Sequence, residues 1–345
     1  MKTRTVRRLA TIAVIPICAI GAQSASATTE PAGDGGPIGL DLPRADSDFW
    51  NAYSNYVPEK AEELGVNLMD VTNSQNDVGT LVTNVQQLVA QGAEAIVMAP
   101  QDTGAITSTI EELNDQGIPV VSIDTRPDAG DVFMVVRADN RAYGEKACEF
   151  LGEQLGGEGT IVEFQGSLSS VNGRDRSEAF AECMSENFPD IEVMEEPTEW
   201  DGAIAQDALR ARLAQGEVNG IYMQAGGVFL APTLQLLESE GLLVPPDDPN
   251  HIFIVSNDGI PQEFEAIRKG EIDATVSQPA DLYAKYALFY AKAAVEGKTF
   301  TPGPTDHDST IIDVGNGVLE DQLPAPLVTK DNVDDASLWG NQIGK

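Results

Sequence analysis

Residues 84–124 read NVQQLVAQGAEAIVMAPQDTGAITSTIEELNDQGIPVVSID. They decide the fold class because they show the same unit twice. An amphipathic run ends at a glycine, Gly92 and then Gly117, and a short apolar run follows at once, 93–100 and then 118–124. A glycine just past a periodic run is a helix C-cap. An apolar run this short, bounded by such turns, is a strand buried on both faces, as in a parallel sheet flanked by helices.

The unit continues in both directions. Upstream, PIGLDL (37–42) leads into an amphipathic run from Phe49 to Leu64 that stops at Gly65, and VNLMDV (66–71) leads into a helix over 77–91. Downstream comes DVFMVV (131–136), and a second round starts near Asp139. Its helices are expected over 141–155, 174–187, 203–215, 229–240, 261–269 and 280–296. Its strands are expected at TIVEFQG (160–166), IEVME (191–195), NGIYMQAG (219–226), HIFIVSND (251–258), IDATVSQP (272–279) and STIIDV (309–314). Two successive rounds of strand and helix imply an α/β protein of two doubly wound, Rossmann-like domains. The repeat is one of layout, with no clear sequence repeat between the halves.

The first 27 residues read differently. Lys2, Arg4, Arg7 and Arg8 precede a short apolar run and the small-residue end Ala25-Ser26-Ala27, the pattern of a secretory signal peptide. Export is therefore expected, to the periplasm or the outer face of the cytoplasmic membrane, with Arg7-Arg8 leaving the twin-arginine route open beside the general one. Residues 28–36 form a flexible lead-in. Without its leader the chain has 318 residues, with 17 basic against 55 acidic side chains and a net charge of −38. That charge excludes nucleic acid and anionic membrane surfaces as partners. Cys148 and Cys183 remain, each in a helical run with one strand between them; they form one disulfide or two buried thiols. The two histidines, His251 and His307, have no metal-ligand spacing, and neither a metal nor a cofactor is expected.

Ligands of open parallel sheets bind beyond the carboxyl ends of the strands. The segments found there include DSDFW (46–50), IDTRP (123–127), FQGSLSSVNGRDR (164–176), EPTEWDG (196–202), YMQAGG (222–227), VSNDG (255–259) and TVSQP (275–279). They supply Asp124, Arg174, Asp258 and Gln278, with Phe49, Trp50 and Trp200. Carboxylates, a guanidinium and an amide give directed donors and acceptors, and flat aromatic faces match the C–H face of a sugar or polyol. Together they suit a neutral polyhydroxylated ligand. Plainer roles stand beside these: Phe49 and Trp50 as a buried first turn, Asp124 as a turn cap, Trp200 as a lid, and Asp258-Gly259 as a turn. Arg174 and Arg176 are two apart and diverge on a helix, one toward a cleft and the other into a surface ion pair.

Taken in order, NVQQLVAQGAEAIVMAP, GIPVVSID, ADNRAYG, GRDRSEAF, SNDGIPQEFEAIRKGEIDATVSQ and TKDNVDD resemble the ribose-binding-protein-like periplasmic sugar-binding proteins, the type I solute-binding components of ABC importers. The resemblance covers nearly all of 37–335. It implies ligand contacts at Phe49, Trp50, Asp124, Arg174, Trp200, Asp258 and Gln278. Ser47 or Asp48 is the polar residue before the aromatics. Two positions depart from the family pattern. Thr125 stands where an arginine often follows the aspartate, with Arg126 one later, and Ala225 stands near a family asparagine, with Gln224 beside it. The departures point to a sugar other than ribose, or to an open-chain sugar alcohol. The resemblance further implies a three-strand hinge, with crossings near Ala138-Asp139, Gln278-Pro279 and His307–Ser309. The N-terminal lobe is then 37–138 plus 279–308, and the C-terminal lobe 139–278 plus 309–345. The implied protein is a monomer that passes its ligand to a membrane permease or presents it to a chemoreceptor. An enzyme is not expected: there is no G-x-S-x-G elbow, no P-loop and no G-x-G-x-x-G after the first strand.

Overall fold

The computed structural model describes residues 36–343. The expected signal peptide lies outside the described residues, as does the lead-in up to residue 35. The chain opens with β1 (Ile38–Leu42), α1 (Asp48–Leu64), β2 (Thr72–Asn73), α2 (Val78–Ala90), β3 (Ala95–Met98), α3 (Thr107–Asp115), β4 (Val120–Ile123) and β5 (Met134–Ala138). It continues with α4 (Asn140–Gln154), β6 (Gly159–Gln165), α5 (Val171–Asn187), β7 (Ile191–Pro197), α6 (Gly202–Gln215), β8 (Gly220–Met223), α7 (Gly226–Glu240), β9 (Phe253–Asp258), α8 (Pro261–Lys269) and β10 (Ala274–Ser277). Then come α9 (Ala280–Val295), β11 (Gly303–Pro304), β12 (Thr310–Asp313), β13 (Leu319–Leu323), β14 (Leu327–Thr329) and a closing 3-10 turn, Trp339–Asn341.

These strands build two sheets, ordered β11-β12-β13-β5-β4-β3-β1-β2 and β14-β10-β9-β8-β6-β7. Pairing is parallel except for the β11-β12-β13 meander and for β14 against β10. The short apolar strands β1, β3, β4, β5, β8 and β10 are buried at every position, as parallel strands between helical layers must be. The run 66–71 makes only a single bridge, Leu68 to Ile38, and the strand at that sheet edge is β2, just after it.

The chain leaves the first sheet after β5 and leaves the second after β10. The third passage is later than expected. β12 and β13 belong to the first sheet and β14 to the second, so the crossing falls at Pro324–Pro326 and not at His307–Ser309. Residues 310–323 thus sit in the first lobe. Strand β13, LEDQL, hid itself by carrying two acids that are nevertheless buried. Glu320 accepts from Arg126 at 3.0 Å and lies 3.7 Å from Arg137, and Asp321 accepts from Tyr290 and His307 at 3.0 and 2.9 Å. Partners from other elements make the burial affordable.

Helices α4 and α5 lie side by side, and Cys148 and Cys183 are joined by a disulfide with 6.2 Å between their Cα atoms. The close approach requires Gly144. A Cβ there would come within 2.4 Å of the Arg176 carbonyl and 2.7 Å of the Phe180 amide. No described helix is long and apolar enough to cross a membrane. The bridge closes a loop of 35 residues, which on chain-entropy grounds is worth about 3–4 kcal/mol. Replacing both cysteines by alanine should lower urea-unfolding stability by that order. An unchanged midpoint would show that the bridge adds nothing.

Candidate functional site

Several strand ends converge on a narrow cleft between the two sheets, with a cavity volume of about 40 Å³. From the first lobe come Arg44, Ser47, Phe49, Trp50, Gln101, Asp124 and Thr125; from the second, Ser170, Asn172, Arg176, Trp200, Ala225, Val228, Asp258 and Gln278. Phe49 and Trp50 occupy the first turn of α1 and meet edge to face, with ring centroids 5.3 Å apart. Trp200 forms the opposite wall. Its indole lies against Gly166, where any side chain would overlap the ring.

Arg176 organises the polar floor. It is buried, its Nε donates to the Asn140 side-chain oxygen at 2.6 Å, Nη1 donates to the Gln224 carbonyl, and Nη2 donates to Gln278 Oε1 at 3.3 Å. Its guanidinium sits 4.9 Å from the Tyr143 ring centre and 5.7 Å from that of Trp200. Gln278 Nε2 donates to Asp258 Oδ1 at 2.6 Å, and the Gly227 amide at the start of α7 donates to Asp258 Oδ2 at 2.7 Å. Burial pushes the Asp258 carboxyl up to about 6 against the pull of Arg176 and these hydrogen bonds. Burial also raises Asp124, opposed by Arg176, Arg137 and the Asn172 side chain.

Backbone strain gathers at the same place. Asp124, Glu199, Trp200 and Asp258 all have positive φ, at 62°, 53°, 58° and 128°. Non-glycine residues hold such conformations only where their surroundings enforce them. At Trp200 the enforcement crosses the cleft, because Arg44 donates to its carbonyl through Nη1 and Nη2 at 3.3 and 3.2 Å. Two buried polar atoms of the site, Asp124 Oδ1 and Trp200 Nε1, have no protein partner.

The cleft thus brings together Ser47, Phe49, Trp50, Asp124, Thr125, Trp200, Asp258 and Gln278. It leaves out four expected residues. Arg174 sits at the rim, where Nη2 bonds Asp128 at 2.6 Å; α5 starts at Val171, earlier than expected, and turns Arg176 inward instead. Asp48 faces outward and accepts from Gln262 at 3.1 Å. Arg126 pairs with Glu320. Gln224 is buried behind the wall, bonded to Glu163, Ser177 and the Gly166 amide. Thr125 lines the cleft, but its hydroxyl donates to the Pro100 carbonyl at 2.8 Å. Sequence reasoning missed Arg44, Gln101, Ser170 and Asn172. Ser170 and Asn172 lay in a strand-end segment already singled out, whereas Arg44 and Gln101 follow β1 and β3 in segments that were not. Among the described residues no cluster of His, Cys, Asp and Glu could hold a metal ion.

Glu163, behind this wall, is buried and raised to about 8, chiefly by desolvation. A raised carboxyl favours the fold while protonated, so its contribution is lost as pH rises from about 4.5 toward about 8. Glu163→Gln should escape that loss, and its stability relative to the parent should climb across this window in denaturant titrations. A difference independent of pH would refute the assignment.

The sequence profile of a family described as a periplasmic binding protein domain matches residues 38–299. The ribose import binding protein of Haemophilus influenzae is 24% identical over 262 residues, covering 76% of this chain and 86% of its own length. The xylitol-binding protein of Mycolicibacterium smegmatis is 26% identical over 290 residues, covering 81% of this chain and 76% of that protein. An ABC transporter solute-binding protein from Mycobacterium smegmatis, solved with bound glycerol, superposes with a TM-score of 0.75 at 23% identity, covering 87% of this chain and 96% of its own. One from Bacillus halodurans with bound myo-inositol also reaches 0.75, at 20% identity, covering 89% of this chain and 99% of its own. These solved structures share the fold, and the profile match runs through both sheets over most of the sequence: the chain belongs to the periplasmic binding protein domain family.

Proposed function

We propose that the protein is the extracytoplasmic binding subunit of an ABC importer and that it captures a neutral sugar or sugar alcohol between its lobes. The observation that carries this reading is the pair of partnerless buried atoms, Asp124 Oδ1 on one lobe and Trp200 Nε1 on the other. One needs a donor and the other an acceptor. A hydroxyl group is both, and a polyhydroxylated ligand offers several at fixed spacing. Trp50 and Trp200 supply the apolar faces, while Arg176, Asp258 and Gln278 supply the remaining directed bonds. The names of the relatives, ribose import and xylitol binding, support the same ligand class. Thr125 and Ala225, short side chains where the resembled family carries longer polar ones, favour a ligand other than ribose.

Binding proceeds by hinge closure about the three crossings. The wall residues belong to different lobes, so a ligand that touches both favours the closed state by its differential affinity. The closed form is what a membrane permease receives, and no catalytic step is assigned to this chain.

A thermal-shift screen of the protein against pentoses, hexoses and C4–C6 polyols tests the reading. A ligand at 100 times its Kd stabilises the native state by about 2.7 kcal/mol. Asp124→Ala, Trp200→Ala and Arg176→Met should each abolish the shift. Arg174→Met should cost no more than about 1 kcal/mol, as expected for a rim ion pair. Absence of any hit across the panel would reject the ligand class, and loss of binding in Arg174→Met with retention in Arg176→Met would invert the site.

A further inference from the structure

The tail that follows β14 lies beyond the family-matched residues, yet it reaches the back of the cleft. Trp339 is only 3% exposed, and its indole touches both lobes. On the first lobe it meets Phe49 edge to face, with ring centroids 6.1 Å apart, and its carbonyl accepts from the Tyr56 hydroxyl at 3.4 Å. On the second lobe its Nε1 donates to the Asp258 carbonyl at 3.3 Å. Phe49 and Asp258 both line the ligand cleft, so one indole backs a residue on each wall.

The neighbouring contacts fix the tail in place. A Cβ on Gly340 would come within 2.4 Å of the Gly259 carbonyl and 2.7 Å of the Phe264 ring, so the turn is pressed against the β9–α8 connection. Arg268 of α8 clamps both sides of the turn: Nε donates to Asp334 at 2.8 Å, and Nη2 donates to the Val333 carbonyl at 3.1 Å and to Asn341 at 2.8 Å. From Trp339 the edge-to-face contacts continue through Phe49 to Trp50 on the ligand-facing wall. Phe49 and Asp258 belong to different lobes, so on the hinge-closure reading an indole in contact with both opposes their separation.

We infer that Trp339 is a positioning residue of the ligand site and that the tail is a strap across the lobes, biasing them toward closure and holding Phe49 and Asp258 in register. The inference rests on the hinge-closure reading. Its test needs no identified ligand. Spin labels on Thr80→Cys and Ala203→Cys, both exposed and each close in the chain to residues that line the cleft mouth, Val78 and Leu81 on one lobe and Glu199 and Trp200 on the other, report lobe separation in the ligand-free protein. Cys148 and Cys183 are bonded to each other and take no label, and the protein is prepared without residues 1–27, which hold Cys18.

Trp339→Ala should move weight from short to long separations by roughly two- to tenfold, the range that one edge-to-face aromatic pair is worth. Trp339→Phe, which keeps an aromatic ring beside Phe49, should recover most of it. Arg268→Ala, at the surface, should shift the distribution the same way and decides the question if Trp339→Ala does not fold. Arg44→Ala, which removes a direct cross-lobe contact, is the control. If it lengthens the separation while Trp339→Ala and Arg268→Ala match the parent, the strap is overturned and hinge closure stands. If Arg44→Ala also changes nothing, hinge closure fails and the strap with it.

Discussion

The cleft depends on one buried guanidinium. Arg176 is held by the Asn140 side chain, the Gln224 carbonyl and Gln278, which come from α4, the end of β8 and the crossing after β10. Removing a charge from water costs several kcal/mol, and it is sustained only where partners satisfy it. Arg176 in turn offsets the desolvation of Asp124 and Asp258, the two carboxylates of the site. Neither acid would remain a useful acceptor in so enclosed a place without it. The close contact of α4 and α5 at Gly144 and the disulfide between the same helices hold the arginine's own helix at the required depth.

Apart from the Trp339–Phe49 aromatic contact, the contacts that join the lobes differ in kind from those within each lobe. Arg44 to the Trp200 carbonyl, Arg174 to Asp128, Thr103 to the Ser169 carbonyl, Arg137 to Asn172 and Asp175, and Gln262 to Asp48 are polar and directional. Groups of this kind exchange protein partners for water at small net cost, so an interface built from them can open. The apolar strands and the helix faces packed on them offer no such exchange. The strained backbone at Asp124, Trp200 and Asp258 lies on the surfaces that meet across the cleft.

Much of this was legible in the order of residues. Short apolar runs alternating with amphipathic ones announce buried parallel strands and covering helices, because burial on two faces and on one face leave different periodicities. Asp124, Asp258 and Gln278 were legible as cleft-lining residues because strand ends in such sheets face the cleft. The aromatic pair at 49–50 and Trp200 were legible for the same reason, and the cysteine pair was legible as lying on two helices that could pack side by side, with a bridge and two free thiols both open until the fold showed the bridge.

Tertiary structure decided what local pattern could not. Two residues along a helix turn a side chain by about 200°, so the start of α5, set where Ser170 caps it, chose Arg176 over Arg174 for the cleft. Strand β13 carried no apolar pattern to mark it, because Glu320 and Asp321 find their partners on β5, on α9 and in the loops around Arg126 and His307, all distant in sequence. Arg44 and Trp339 were not singled out, since each acts on a residue more than 80 positions away. Sequence alone determined the elements, the faces they bury and the strand ends that line the cleft, because these follow from neighbours in the chain. Which charges are satisfied, where the last crossing falls and what holds the two lobes together depend on partners that only the folded chain brings within reach.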